Sequence, residues 1–238
     1  MRAFRECRQA VKSMIAVSCL LLLTACAHKP PTIAHTHIGH AVTAFDGTPG
    51  EKGLFVIAEE RARDALRHAE GAASADADLD GIKQQMQEVV EAYRGDEFGV
   101  KHAMDEAVKH IEFASTSQDA SGNVRNAAEE IRVAADGILN RSDLILLLGN
   151  DVMGATSVDE GRLLAQQIRQ LAEINVNCDA SEQSGVVQVR KMIDEMIASE
   201  DPEYVTVDRW YLFHLVRLPD CDTCWAWRKW ANSSNRGY

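Results

Sequence analysis

Closely spaced histidines are the side chains in this sequence whose type and arrangement could do chemistry. The segment HTHIGH places His35, His37 and His40 within six residues. Imidazole nitrogens bind zinc, copper and nickel, and neighbouring histidines can share one ion. His37 and His40 share a face of a helix, whereas His35 and His37 share a face of an extended segment. Both geometries remain open and the spacing selects no metal, while a solvated tether and a contact with a protein partner are the alternative interpretations of the same segment.

A second set of chemically capable residues recurs at every fourth position further along the chain. His102, Glu106 and His110 lie on one side of a predicted helix. Relative to the apolar row that begins at Val100, His102 points outward and His110 lies at the edge of the core. The two histidines are about 12 Å apart at a rise of ~1.5 Å per residue, so they cannot bind one ion alone. His110 could bind an ion with Glu106 or with a histidine of another element.

His68 follows Asp64 by four residues, a spacing typical of a pair on a helix surface. It could assist a metal site only if the HTHIGH segment folded back onto the helices. The predicted ligands of a divalent copper, zinc or nickel ion are therefore His35, His37 and His40, with assistance from His68 or His110.

The amino terminus indicates where these histidines would act. Four basic residues precede a mostly apolar run of ten residues, Met14 to Leu23. The run is shorter than the ~20 residues that a membrane-spanning helix needs, and its length is typical of a signal peptide. It ends in Leu23-Thr24-Ala25-Cys26, which resembles the lipobox of bacterial lipoproteins.

That resemblance implies that residues 1–25 are removed and that Cys26 carries the lipid that anchors the protein. Several acyl chains on one cysteine give durable attachment, since each buried methylene contributes about 0.8 kcal/mol. The mature chain would face the periplasm, and Ala27 after the cysteine favours the outer membrane over the inner one. The alternatives are an uncleaved anchor and an ordinary signal peptide.

The composition of the mature chain disfavours several classes of function. Residues 1–25 carry four basic residues and one acid, so their removal lowers the formal net charge from −11 to −14. An acidic chain repels nucleic acid and attracts cations or basic partners. The sequence lacks a nucleophile elbow, a phosphate-binding glycine loop and an H-E-x-x-H motif, so no enzyme is predicted.

The hydropathy pattern predicts a mainly α fold, an antiparallel helical bundle with a small carboxyl-terminal β-hairpin. Residues 26–53 are predicted as a lipidated tether in which HIGHAVTAF forms one or two helical turns, and residues 54–200 as the bundle. Six amphipathic helices follow, which start near Leu54, Asp78, Val100, Ser121, Ser157 and Val186. Short connections between them favour antiparallel neighbours.

Residues 201–238 are predicted as an aromatic hairpin in which YVTVDRWYLFHLVRL pairs with CWAWRKW across the turn residues PDCDT. Cys178, Cys221 and Cys224 allow one disulfide in an oxidising compartment. A bridge from Cys178 to either partner would close the larger loop and stabilise more than a Cys221–Cys224 bridge. Trp225 stands where covalent haem attachment requires histidine, so no haem c is expected.

Two further resemblances concern the histidine-bearing segments. DALRHAEGAA and KHAMDEAVKHIEFA resemble the small periplasmic metal-binding protein of nitrifying bacteria, a histidine-laced four-helix bundle. That resemblance implies binding of copper or other divalent metals, although this chain has fewer helix histidines and extra elements. HTHIGHAVTAFDGTPGEKGLFVIAEE resembles the start of uncharacterised bacterial lipoproteins, which implies no activity. The alternative function is a non-catalytic lipoprotein that docks an envelope protein complex through its helices or its tryptophan-rich hairpin.

Overall fold

The computed structural model describes residues 32–200 except 75, 96–97 and 179–183, and it also describes the backbone of residues 206–211 and 216–220. Its helices are α1 Ile33–Val42, a short 3-10 helix Pro49–Glu51, α2 Leu54–Ala72, α3 Leu79–Arg94, α4 Val100–Thr116, α5 Gly122–Gly154, α6 Val158–Asn177 and α7 Val186–Ala198. The strands β1 Thr206–Tyr211 and β2 Val216–Asp220 form a two-stranded sheet. The predicted signal peptide, Cys26 and the segment from residue 221 onward lie outside the described residues.

The prediction of a mainly helical protein is confirmed, and α2–α7 correspond to the six predicted helices. Alanines at steps of three or four residues form a fully buried row along α2, where their small side chains let neighbouring helices approach closely. This row comprises Ala58, Ala62, Ala65, Ala69 and Ala72. Helix α2 packs against α3, α4 and α6, and α5 packs against the same three helices and α7. The helices therefore share one continuous apolar core.

Three of the predicted helix starts are capped by the expected side chains. Asp78 accepts a hydrogen bond from the Gly81 amide, and Ser121 accepts one from the Val124 amide. At the start of α6, Ser157 accepts from the amide of Glu160. In a capping box the Glu160 carboxylate would accept from the amide of the cap residue, Ser157. Here it accepts from the amide of Thr156, one residue earlier.

The helical unit begins at Thr32, whereas the sequence pattern places its start at residue 54. The HTHIGH segment belongs to the ten-residue helix α1, which packs mainly against α4. Ala34, Ile38 and Ala41 lie at helical spacing and are buried in the common core. Burial of this apolar row explains why the segment is part of the bundle, even though the prolines that precede it and the glycines that follow it are typical of a tether.

Gly149 marks a close approach between α5 and α3, where an added side chain should destabilise the protein. An ideal Cβ at this position would lie 2.5 Å from Cγ2 of Val90. Because valine is stiff at χ1, we expect Gly149→Ala to lower the free energy of unfolding by about 1–3 kcal/mol through overpacking. Urea unfolding measures this loss of stability. The matched control is Gly154→Ala in the same helix, where the new Cβ meets nothing within 4 Å. Equal stabilities of the two variants would contradict the packing argument.

The carboxyl-terminal strands divide a stretch that the sequence pattern treats as one strand. β1 and β2 both lie within residues 204–220, and the aromatic segment CWAWRKW lies outside the described residues. The predicted pairing of that segment, and the hairpin's aromatic face, therefore stay predictions. Among the helices that the structure describes, none combines the length and the hydropathy needed to cross a membrane.

Candidate metal centre

Three histidines from two helices converge at the junction of α1 and α4. His37 and His40 belong to α1, and His110 belongs to α4. Each ring offers one nitrogen atom, and these three atoms lie within 4.8 Å of one another. Nδ1 of His37 lies 3.1 Å from Nδ1 of His110. Two nitrogens bound tetrahedrally to one zinc ion at 2.0–2.1 Å would be about 3.3–3.4 Å apart. The spacing of these two nitrogens is therefore already close to what a shared ion requires.

Helical periodicity explains why α1 presents two of these rings together. His37 and His40 are three residues apart, so they lie on the same face, and their ring centroids are 6.0 Å apart. The His40 and His110 centroids are 4.9 Å apart in an edge-to-face arrangement. The three side chains are half-buried at the edge of the core. An ion could therefore reach them without unfolding of the bundle.

Asp119, in the connection between α4 and α5, holds the beginning of α1. Its two carboxylate oxygens accept hydrogen bonds from the amides of Ile33 at 2.6 Å and Ala34 at 3.1 Å. Thr32 caps the same turn by accepting from the amide of His35. A carboxylate at a helix amino terminus satisfies unpaired amides and interacts favourably with the helix dipole. This contact fixes the start of α1 near the end of α4, the helix that carries His110.

A buried polar cluster ties α1 to the end of α7. Nε2 of His35 lies 3.0 Å from Oε2 of Glu200, and the two side chains are 3% and 2% exposed. The other carboxylate oxygen of Glu200 accepts from the Ser121 hydroxyl and from the Asn123 amide, each at 2.6 Å. These hydrogen bonds lower the pKa of Glu200 against the opposing effect of burial. His35 is therefore a structural contact of α1, directed to a carboxylate away from the three-histidine cluster.

Two phenylalanines flank the histidines. The Phe45 ring lies 5.6 Å from His40 and 5.2 Å from His110, measured between centroids. The Phe113 ring lies 5.4 Å from His37 and 6.0 Å from His110. Phenyl rings offer no lone pair to an ion, and they exclude water from the imidazole faces. The environment is therefore partly apolar, which strengthens electrostatic interactions inside it.

The surroundings keep two of the imidazoles neutral. Burial, together with the charges of His40 and His37, lowers the pKa of His110 to about 4 although Glu106 opposes the shift. Burial also lowers the pKa of His37, against the charge of Asp119. A metal ion binds the neutral imidazole. The lone pairs of these imidazole nitrogens therefore remain available at pH values where an exposed histidine would be protonated.

The depressed pKa of His110 predicts an acid-sensitive stability. The unfolded chain binds a proton at this residue below its ordinary pKa of 6.5, and the folded chain does so only near 4. The free energy of unfolding of the metal-free protein should therefore fall as the pH falls from about 6.5 towards 4. We expect His110→Asn to make this dependence shallower between pH 7 and pH 5, measured by urea unfolding in the presence of a chelator.

The control for this pH dependence is His102→Asn, since His102 is exposed on the same helix. That variant should retain the wild-type slope. A slope for His110→Asn that equals the wild-type slope would show that His110 does not titrate as its surroundings require.

The remaining predicted site residues lie elsewhere. Nδ1 of His68 lies 2.8 Å from Oε1 of Gln85, and its Nε2 lies 3.7 Å from Asp64, which agrees with a helix-surface pair. The structure thus brings His37, His40 and His110 together and leaves His35 and His68 outside the cluster. Cys178 directly follows α6, is half-buried and forms no disulfide with a described residue. Cys221 and Cys224 lie outside the described residues, so the predicted bridge stays a prediction.

Sequence reasoning missed four residues that build this junction: Phe45, Phe113, Asp119 and Glu200. Phe113 carried a usable signal, because it follows His110 by three residues and shares its helix face. The contact of Asp119 with Ile33 spans 86 positions of the chain, and the contact of Glu200 with His35 spans 165. Contacts at such separations leave no periodic signal in a single sequence.

Comparison with protein-family models, with curated proteins and with solved structures found no match for this chain. The fold and the site therefore define only a class: a mainly helical protein with a three-histidine cluster at a helix junction. Any narrower function depends on the chemistry of that cluster.

Proposed function

We propose that this protein is a lipid-anchored, periplasm-facing helical protein that binds a divalent transition-metal ion through His37, His40 and His110. The observation that carries the proposal is the grouping of three imidazole nitrogens within 4.8 Å. This ligand set keeps two of the histidines predicted from HTHIGH and takes its third from α4. His35 is replaced in the set because its ring contacts Glu200.

The donor set favours borderline metal ions over hard ones. Three neutral imidazoles suit zinc, copper and nickel, whereas calcium and magnesium require oxygen ligands. In the metal-free protein, a hydrogen bond between the Nδ1 atoms of His37 and His110 needs a proton on one of them. An ion between these atoms needs both lone pairs, so its binding requires that ring to move its proton to Nε2. Neutral rings allow this tautomeric change without net proton release.

Titration of the purified chain with zinc, copper and nickel, each in competition with a chelator of known affinity, tests the proposal. We expect one ion per chain with a dissociation constant well below 10 μM, a threshold that corresponds to about −7 kcal/mol of binding free energy. Calcium and magnesium should not compete. Absence of any transition-metal binding tighter than this threshold would refute the proposed function.

The proposed anchor rests on the segment Leu23-Thr24-Ala25-Cys26 and gives a separate prediction. Cys26→Ala should leave the precursor uncleaved or the product without lipid, because the thiol is the group that would be acylated. Metabolic labelling with a fatty acid, followed by membrane fractionation after a high-salt wash, measures both effects. The matched control is Cys19→Ala, which changes a cysteine inside the apolar run. Normal processing and membrane retention of the Cys26→Ala product would contradict the lipoprotein assignment.

A second candidate function is the docking of an envelope protein complex without catalysis. Leu144 and Leu147 on α5 are 42% and 59% exposed and lie three residues apart, so they share an outward face. The outcome of a Leu144→Ser, Leu147→Ser double substitution distinguishes the two functions. It should abolish co-purification of a partner if this face docks one, and it should leave metal binding unchanged.

A further inference from the structure

The three-histidine cluster provides fewer ligands than its metals require. Zinc and cobalt bind at least four ligands in a tetrahedral site, and copper(II) prefers four or more in a tetragonal one. Among the described histidines, cysteines and acidic residues, only His37, His40 and His110 can contribute to one ion at this place. At least one coordination position is therefore not supplied by the described histidines, cysteines and acidic residues.

The two acidic residues that interact electrostatically with the cluster are engaged elsewhere. Glu106 acts on His110, and its carboxylate lies 2.7 Å from the ammonium group of Lys109. Asp119 acts on His37, and its two oxygens accept from the first amides of α1. Recruitment of either carboxylate to an ion would break these contacts, and for Asp119 it would release the start of α1.

The cluster lies next to the protein surface. Phe113, which lies against His37 and His110, is 53% exposed, and the three histidines are half-buried. The complex of a divalent ion with three neutral imidazoles keeps its full double positive charge. Such a complex attracts a small anion, and the partly apolar surroundings of Phe45 and Phe113 strengthen that attraction.

We propose that an ion bound by His37, His40 and His110 keeps an exchangeable coordination position, which water occupies and which small monovalent anions enter by displacing that water. The inference rests on the proposed metal binding and extends it to a second class of ligand. A protein with such a position presents a metal ion to external ligands, in contrast to a closed site with four protein ligands.

Cobalt(II) is the probe, because its visible absorption bands report the number and type of ligands. The purified full chain is loaded with one equivalent of cobalt and titrated with sodium azide, with sodium perchlorate at equal ionic strength as the control. We expect a saturable shift of the bands with azide and none with perchlorate. His102→Ala should reproduce the wild-type shift, and His110→Ala should lose the cobalt bands.

The other outcomes separate the inference from the function on which it rests. Cobalt bands that depend on His110 but do not change with azide would overturn the exchangeable position, because a fourth group of the chain would then fill it; metal binding would stand. Absence of any bands that depend on His110 would overturn both. Gel filtration after the azide titration, with cobalt quantified in the protein fraction, establishes that a shift does not arise from removal of the metal.

Discussion

Substitution of His110 by alanine should weaken transition-metal binding by about 100-fold or more. Loss of a residue that only orients a metal ligand already costs 10–100-fold in affinity, and His110 supplies one of the three imidazoles within 4.8 Å of each other. Its Nδ1 atom lies 3.1 Å from Nδ1 of His37, and no other described histidine, cysteine or acidic residue belongs to the group. Competition titration with zinc and copper measures the loss.

The controls for this substitution come from histidines outside the cluster. His102 lies two turns earlier on α4 and is exposed, and His68 contacts Gln85 on α3. Alanine at either position should change the metal affinity by less than about threefold, since neither ring lies in the cluster. Circular dichroism should give the wild-type helical content for all three variants. If His110→Ala kept the wild-type affinity, α4 would supply no ligand, and the ligands would have to come from the HTHIGH segment alone.

Substitution of Glu200 by alanine should lower the free energy of unfolding by about 2–4 kcal/mol. The carboxylate is 2% exposed and has three partners in the protein: His35, Ser121 and Asn123. Its removal leaves the buried His35 and the part-buried Ser121 and Asn123 without this partner. An unsatisfied buried group costs about 1–3 kcal/mol, more where a charge is involved. Urea unfolding of the metal-free protein measures the change.

Glu195→Ala is the matched control, because Glu195 lies near the end of α7, five residues before Glu200. Its side chain is 67% exposed in a surface pair with Lys191. Exposed pairs contribute between about 0 and 1 kcal/mol, so this variant should stay close to wild type. A loss for Glu200→Ala no larger than that of the control would show that the buried cluster does not stabilise the bundle.

The Glu200 substitution should also weaken the proposed metal binding, although Glu200 does not belong to the histidine cluster. The cluster around Glu200 holds His35, and the same helix carries His37 and His40 two and five residues later. A looser α1 must be ordered when the ion binds, which reduces the affinity. Glu200→Gln, which preserves shape and keeps acceptor capacity, should recover part of both the stability and the affinity.

The helices of this protein are determined by local signals in its sequence. The alanine row of α2 recurs at steps of three and four residues and is buried throughout. Asp78, Ser121 and Ser157 cap the helices that they precede, since capping depends on residues within one turn. The same local geometry placed His102 outward and His110 at the core edge, and it paired His68 with Asp64.

The composition of the histidine cluster is decided by tertiary structure. A shared helix face brings His37 and His40 together, which is one of the two geometries that the spacing allowed. The partner of this pair, His110, lies 73 residues from His37 in the chain. A single sequence contains the histidines of both helices without stating which of them meet. The docking of α1 through Asp119 and Glu200 makes that choice, because it turns His35 towards a carboxylate and His37 and His40 towards His110. Local periodicity thus determines which face of each helix a histidine occupies, whereas long-range packing determines which faces meet.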